Sequence, residues 1–224
     1  MSELTLIIGN KNYSSWSLRP WLAMKQLGVE FQEICIPLYT PDAPAKISQY
    51  SPAGKVPILL HDQQTIWDSL AICEYLAETF PTLHWWPEDK SARATARAVS
   101  CEMHSGFQHL RQNMSMNCRA KYPGQGLTPE VQKDIDRITK IWQDARQNFG
   151  VGDNFLFGQF TIADAFFAPV VLRFITYDVQ LDHISQDYAQ TILALPALQE
   201  WIEAAKQETE VIPQYEKSSK KVGT

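Results

Sequence analysis

The apolar run Leu4-Thr5-Leu6-Ile7-Ile8 leads into the hydroxyl-rich stretch Asn12-Tyr13-Ser14-Ser15-Trp16-Ser17-Leu18-Arg19, and these two pieces decide the fold of the first half. The first predicts a strand at about 4–9, and the apolar spacing that follows predicts a helix at about 17–28. Small hydroxyl side chains then lie at a helix N-terminus, where free N–H groups and the helix dipole favour negative charge. The turn can hold a thiolate or an oxyanion, although serine is also a common simple helix cap.

The rest of the first half continues to alternate strand and helix patterns. We predict strands at about 31–37, 56–61 and 64–67, a short helix at about 43–50 and a helix from Ser69 to Phe80. The order βαβαββα is typical of a thioredoxin-like unit, a small mixed sheet with helices on both faces. From Ser91 onward only helical patterns remain. The prediction is a thioredoxin-like α/β domain (residues 1–82), a linker (83–90), an all-helical bundle domain (91–212) and a tail (213–224).

A capping box organises the predicted helical half. In Thr161-Ile162-Ala163-Asp164, Thr161 caps the helix and the Asp164 carboxylate reaches back to the cap N–H. The helix behind it is apolar on nearly every side, as expected at the centre of a bundle. We therefore expect Asp164 to be structural.

A second long helix is predicted from about Ser91 to Lys121. Its apolar stripe includes Met114, with Phe107 at the edge, and a polar stripe with His104 and Arg111 lies beside it. A polar stripe faces either solvent or a cleft against the first half. In the second case Arg111 is available to an anionic ligand.

Composition and charge argue against several classes of function and partner. The 224 residues carry a formal net charge of −5, and only the short run Lys217 to Lys221 is basic, so nucleic acid is not expected as a partner. No apolar run approaches membrane-spanning length, and the N-terminus lacks a signal sequence, which predicts a cytoplasmic protein without membrane contact. The four cysteines lack C-x-x-C spacing and the five histidines lack ligand spacing, so no metal site is expected.

Two further motifs point to a ligand with a peptide backbone. In Gly54-Lys55-Val56-Pro57, a cis bond before the proline would turn the Val56 backbone outward, where it can pair with a ligand as an added strand does. Asp68 and Ser69 stand at the start of a helix. Ser69 and nearby N–H groups suit a carboxylate and Asp68 suits an ammonium group, although plain capping explains both residues as well.

The chain resembles a cytosolic glutathione S-transferase over about residues 4–210. The resemblance rests on four motifs in this order: the serine turn (Ser14-Ser15-Trp16-Ser17), Val-Pro, the acid-Ser helix start and the Thr-Ile-Ala-Asp box. The resemblance implies that glutathione is the co-substrate, without a metal, and that the first half binds it. It implies that Val56, before a cis Pro57, pairs with the cysteinyl backbone and that Lys55 contacts the glycyl part. Asp68 and Ser69 would hold the γ-glutamyl end. The helical half would supply the pocket for an electrophilic small molecule, with four candidate residues: His104, Phe107, Arg111 and Met114.

The group that activates the thiol is predicted from the turn. Ser14 is the first candidate, because it lies five residues before Arg19, the spacing of the serine-type classes that the chain resembles. Ser15 is the second and Tyr13 the third, while Ser17 and Arg19 are expected to support the helix start. A hydroxyl hydrogen bond and a helix N-terminus both stabilise a thiolate, the reactive form of the sulfur.

The resemblance is nearest to the zeta class, and the chain is predicted to be a divergent, bacterial-like serine-type member. Trp16 stands where the zeta motif has cysteine. Counting from Asp164 and Pro169 also puts the substrate-side arginine of that class near Thr176 rather than at Arg173.

Three functions follow from the resemblance. The first is conjugation of glutathione to electrophiles, the second a glutathione-dependent isomerase (maleylacetoacetate isomerase-like) or dehalogenase, and the third a non-catalytic glutathione-binding module, since a fold does not fix a function. The family also implies a homodimer.

Overall fold

A four-stranded mixed sheet forms the first part of the computed structural model, which describes residues 3–217. Its order is β2-β1-β3-β4, with β1 parallel to β2 and antiparallel to β3, and β3 antiparallel to β4. This is the predicted thioredoxin-like βαβαββα unit. In chain order its elements are β1 (Leu4–Gly9), α1 (Ser15–Gln26), β2 (Gln32–Ile36), α2 (Ala43–Ser48), β3 (Ile58–His61), β4 (Gln64–Trp67) and α3 (Ser69–Thr79).

Helices cover both faces of this sheet. Apolar side chains of β1 point alternately to one face and to the other, so each face has a core against which helices pack. Leu6 and Ile8 are fully buried in the large core cluster, which also contains residues of α1, α3 and the helical part. Ile7 points to the opposite face and packs with Ile47 of α2 and with Ile58. Successive side chains of a strand point to opposite faces, so one short apolar run serves two cores.

The remaining elements are helical, as predicted. They are α4 (Lys90–Ser105), α5 (Gln108–Asn113), α6 (Pro129–Phe149), α7 (Ile162–Tyr177), α8 (His183–Leu193), α9 (Pro196–Gln207) and a 3-10 turn at Pro213–Tyr215. The buried helix α7 packs against α1, α4 and α8, which puts it at the centre of the helical part and against the sheet domain.

The prediction of a single helix from about Ser91 to Lys121 is wrong. The chain breaks after Ser105: Gly106 is extended and Phe107 has a left-handed backbone, with φ of 59°. A Cβ at Gly106 would lie 2.8 Å from the Glu102 carbonyl oxygen, so glycine ends α4 where another residue would clash. After the short α5, the chain runs on without helix until Pro129.

The capping box at the start of α7 is confirmed, with Thr161 and Asp164 bonded reciprocally. Asp164 is fully buried and also accepts from Leu156 N at 3.2 Å. Burial raises the pKa of Asp164 to about 6 against the effect of these hydrogen bonds. The carboxylate therefore holds the connection before α7 and lies away from the cavity described below.

Two tryptophans join the halves. Trp85 and Trp86 are buried, and Trp85 O accepts from Ile162 N at 2.9 Å, at the start of α7. The segment assigned to a tail from sequence is described only as far as residue 217, and Tyr215 and Glu216 contact the sheet domain. Most of the basic run Lys217 to Lys221 lies outside the described residues.

Candidate active site

A cavity of about 920 Å³ lies between the sheet domain and the helical part. Its wall contains all the residues predicted for thiol activation and glutathione binding, together with one of the four predicted for the second substrate. These are Tyr13, Ser14, Ser15, Lys55, Val56, Pro57, Asp68, Ser69 and Arg111. The structure thus brings three separate sequence motifs to one cavity.

Ser14 is the N-cap of α1. Its Oγ lies 3.4 Å from Ser17 N and 2.7 Å from Ser17 Oγ, and Ser17 Oγ accepts from Gly9 N at 3.1 Å. Ser17 is fully buried, as a residue that supports the helix start should be. Its hydroxyl ties the serine turn to the end of β1, so the turn is fixed to the sheet.

Ser15 contacts an arginine that sequence analysis did not place in the site. Arg173 of α7 donates from Nη2 to Ser15 Oγ at 3.1 Å and lines the cavity. Its other donors bond the carbonyl oxygens of Met114 and Pro169 at 2.9 and 3.2 Å. Burial, followed by the charge of Arg111, lowers the pKa of Arg173 to about 9, so the side chain stays cationic at neutral pH.

Counting from Asp164 and Pro169 predicts the substrate-side position near Thr176 rather than at Arg173. Thr176 is buried, and its hydroxyl donates to Asn117 O and Leu172 O at 2.9 Å. Arg173 and Asp164 are the charged residues of an otherwise apolar helix. A lone arginine in such a helix was the signal that could have identified Arg173, because a buried charge requires a specific reason.

Tyr13 lies on the cavity wall, but its hydroxyl is occupied elsewhere. It donates to Glu216 at 2.5 Å and accepts from Arg119 Nη2 at 3.0 Å and from Ile212 N at 3.4 Å. Burial, followed by the hydrogen bond to Glu216, raises the pKa of Tyr13. A hydroxyl with these partners and a raised pKa is poorly suited to stabilise a thiolate.

The Val56–Pro57 peptide bond is cis, and both residues line the cavity. Pro57 precedes β3, and Gly54 before it has a φ of 62°, a left-handed conformation that glycine adopts without strain. Lys55 is exposed on the same wall and supplies a cation to it.

Asp68 and Ser69 form the N-terminus of α3. Asp68 Oδ1 accepts from Leu70 N at 2.9 Å, so the residue caps the helix while its backbone adopts a φ of 76°. Its Oδ2 lies 3.1 Å from His104 Nε2. Ser69 is buried, with its Oγ 3.5 Å from Arg19 Nη1.

The other candidates for the second-substrate pocket do not line the cavity. His104 lies behind Asp68, 3.5 Å from Arg19 Nη1; burial lowers its pKa, while the charge of Asp68 opposes this effect. Phe107 and Met114 are buried at the helix break and beyond it. Because α4 ends at Ser105, the stripe predicted on one straight helix does not exist.

Arg111 reaches the cavity by folding back. It donates to the carbonyl oxygens of Gly106 at 2.8 Å and of Met103, and its guanidinium lies 4.8 Å from the centre of the Trp16 ring. Arg19 lies 4.2 Å from the same ring. Trp16, which lines the cavity, therefore contacts two cations through its ring, and both contacts are of the cation–π kind.

Sequence analysis also missed two aromatic residues of the cavity wall. Tyr39 and Tyr215 both line the cavity, and their hydroxyl oxygens are 2.6 Å apart. Over residues 3–217, no group of three or more His, Cys, Asp or Glu side chains could hold a metal ion. Within that same range no helix is long and apolar enough to cross a membrane.

Comparison with known proteins identifies the family. A sequence model of the glutathione S-transferase N-terminal domain matches residues 13–79, and one of the C-terminal domain matches residues 122–204. The chain is 34% identical to maleylacetoacetate isomerase of Rattus norvegicus over 200 residues, which are 83% of this chain and 85% of the rat protein. It is 32% identical over 161 residues to a probable maleylacetoacetate isomerase of Caenorhabditis elegans, covering 70% and 72% of the two chains.

Solved structures share the fold. The crystal structure of a glutathione transferase homolog from Burkholderia, with bound glutathione, superimposes with a TM-score of 0.69 at 23% identity, over 92% of this chain and all of the other. A Tau class glutathione S-transferase from mango gives 0.67 at 17% identity, over 91% and 96%. The two domain matches together span more than half of the sequence, and the chain therefore belongs to the glutathione S-transferase family.

Proposed function

We propose that this protein is a glutathione transferase that binds glutathione in the cavity and joins its sulfur to an electrophilic small molecule. One observation carries the proposal: the serine turn, the cis Val56–Pro57 peptide and the Asp68-Ser69 helix start line the same cavity. Each of these groups suits a different part of a γ-glutamyl tripeptide thiol.

The cavity wall offers one partner for each polar part of glutathione. The Val56 backbone pairs with the cysteinyl amide, as an added strand would. Ser69, at the positive N-terminal end of the α3 dipole, binds the γ-glutamyl carboxylate, and Asp68 binds the ammonium group beside it. Asp68 keeps acceptor capacity for this role, since a carboxylate can accept about four hydrogen bonds. Lys55 binds the glycyl carboxylate.

The serine turn activates the thiol. Ser14 donates to the thiolate, and Ser15 assists from the next position with the Arg173 cation behind it. Ser14 Oγ donates to Ser17 Oγ at 2.7 Å, and Ser17 Oγ also accepts from Gly9 N. The Ser14 hydroxyl therefore has to rotate away from Ser17 to donate its proton to the sulfur. The thiol loses its proton to solvent, the sulfur lone pair of the thiolate forms the bond to the electrophilic carbon, and the leaving group departs with its electron pair.

A second candidate function is a glutathione-dependent isomerase acting on a cis-unsaturated diacid. Two observations favour it: Arg111 and Arg173 place two cations on the cavity wall, and relatives from rat and nematode carry maleylacetoacetate isomerase names. Carboxylates suit planar guanidinium groups. A dehalogenase acting on haloacids would use the same thiolate and the same cations.

The test compares Ser14→Ala with Ser15→Ala. Loss of one hydrogen bond to a charged group costs about 1.5–3 kcal/mol, so Ser14→Ala should lower kcat roughly 10- to 100-fold. The KM for glutathione should stay unchanged, and Ser15→Ala should cost less. Calorimetry with glutathione confirms that binding survives. An unchanged kcat in Ser14→Ala would remove that residue from the mechanism.

The substrate class is separated by assaying an aryl halide, a haloacid and a cis-unsaturated diacid with the same enzyme preparation. We further propose a cytoplasmic homodimer, as is usual for the family. Light scattering should give twice the mass of one chain.

A further inference from the structure

The loop that leads into the serine turn, residues 10–13, is held by residues that are distant in the sequence. The Trp201 indole of α9 donates to Lys11 O at 2.9 Å. Cys118 N donates to Asn12 O at 3.3 Å. This leading loop runs from the end of β1 to the serine turn, so its position determines where the two hydroxyls lie.

A C-terminal segment, residues 208–216, supplies the strongest of these contacts. The Glu208 carboxylate accepts from Lys11 N at 2.5 Å and from Asn12 N at 3.0 Å. Hydrogen bonds from backbone N–H groups to a carboxylate are charge-assisted and about twice as strong as neutral ones. One carboxylate thereby fixes two successive peptide groups of the leading loop.

Glu216 holds the last residue of the same loop. Its carboxylate accepts from the hydroxyls of Tyr13 and Tyr122, each at 2.5 Å, and from Asn117 Nδ2 at 3.0 Å. Burial raises the pKa of Glu216, but these three hydrogen bonds outweigh it and hold the pKa below its ordinary value. Arg119 Nη2 donates to the Tyr13 hydroxyl oxygen at 3.0 Å, so this hydroxyl is fixed both as a donor and as an acceptor.

We propose that the C-terminal segment is a positioning element for thiol activation, with Glu208 and Glu216 as positioning residues that act through the leading loop on Ser14 and Ser15. The inference rests on the proposed function. It assigns residues 208–216 a part in the reaction although neither carboxylate lines the cavity.

Only a few covalent and hydrogen bonds separate the C-terminal segment from the hydroxyls of Ser14 and Ser15. Tyr13 directly precedes Ser14, and Tyr13 O accepts from Ser15 N at 3.0 Å. A shift of the Tyr13 ring therefore moves both serines. A misplacement of about 1 Å at a catalytic group can cost on the order of 100-fold in rate, so a small displacement of the loop has a measurable effect.

The test uses full-length Glu216→Gln, which keeps the shape of the side chain but removes its charge. Glu210→Gln is the matched control, because Glu210 lies on the same segment with an exposed side chain. Tyr13→Phe is the second variant and removes only the hydroxyl that Glu216 binds. For each protein we would measure kcat, the KM for glutathione, the melting temperature and the thiol pKa of bound glutathione from its thiolate absorbance.

We expect Glu216→Gln and Tyr13→Phe each to lower kcat about three- to tenfold and to raise the thiol pKa, with the KM for glutathione unchanged. Glu210→Gln should match the wild type. A lower melting temperature with an unchanged thiol pKa in both variants would overturn the inference alone, since the contact would then be structural. A wild-type thiol that titrates as in water would overturn the proposed function and the inference with it.

Discussion

Replacing Arg173 with methionine removes a cation that contacts the serine turn and keeps an unbranched side chain. Arg173 Nη2 lies 3.1 Å from Ser15 Oγ, so a sulfur bonded to that hydroxyl lies about 6 Å from the charge. Two unit charges at about 6 Å interact by roughly 3 kcal/mol at an effective dielectric constant of about 20, which is about two pKa units. Because the cavity is open to solvent, we expect the thiol pKa of bound glutathione to rise by about one to two units.

The assay is a pH titration of the thiolate absorbance of glutathione bound to wild type and variant, at concentrations that calorimetry shows to be saturating. Arg173→Gln is the matched control, since an amide keeps hydrogen-bond donors but carries no charge. An electrostatic effect raises the thiol pKa equally in both variants, whereas an effect of local shape is smaller with glutamine. A methionine variant that binds glutathione with the wild-type thiol pKa would refute the reasoning.

Two further predictions concern stability. The pKa of Asp164 is raised to about 6, so ionisation of this carboxyl destabilises the fold as pH rises from about 4 through 6. Over this pH range, wild type should lose up to about 3 kcal/mol of unfolding free energy relative to Asp164→Asn. Urea unfolding of both proteins measures this difference, and a difference that does not change with pH would contradict the prediction. Gly126 has a φ of 72° and a Cβ there would lie 2.3 Å from Asn113 O, whereas a Cβ at Gly124, with a φ of 69°, meets no described heavy atom within 4 Å. Gly126→Ala should therefore lower the melting temperature clearly more than Gly124→Ala, whose cost is about 1–2 kcal/mol; equal losses would show that the contact relaxes freely.

The features that sequence analysis predicted are those set by local patterns. The strand and serine turn at the N-terminus, the capping box at Thr161 and the helix start at Asp68 each depend on residues within a few positions of one another. Their side-chain and backbone preferences are satisfied locally, so the pattern predicts the structure.

The break between α4 and α5 depends on contacts that a helical pattern does not reveal. Leu110 N donates to Asp134 Oδ2 of α6 at 2.9 Å, and Arg111 folds back onto carbonyl oxygens at the end of α4. Gly106 was the local signal, but a single glycine inside a helical pattern is also tolerated at a cost of about 1 kcal/mol.

Arg173 and the C-terminal segment were missed for a different reason. Helix α7 is buried on nearly every side, so its hydrophobic pattern does not indicate which face meets the cavity. Glu216 bonds Tyr13 across a separation of 203 residues. Such a contact depends on the whole packing of the chain and leaves no periodic trace in the sequence.

The central claim is that the serine turn lowers the thiol pKa of bound glutathione. The most direct test is the ultraviolet difference spectrum of the complex, titrated with pH against free glutathione. We predict that the thiolate absorbance develops at least about one pH unit below that of the free thiol, and that Ser14→Ala removes most of this shift. Glutathione that binds but titrates as it does in water would contradict the claim.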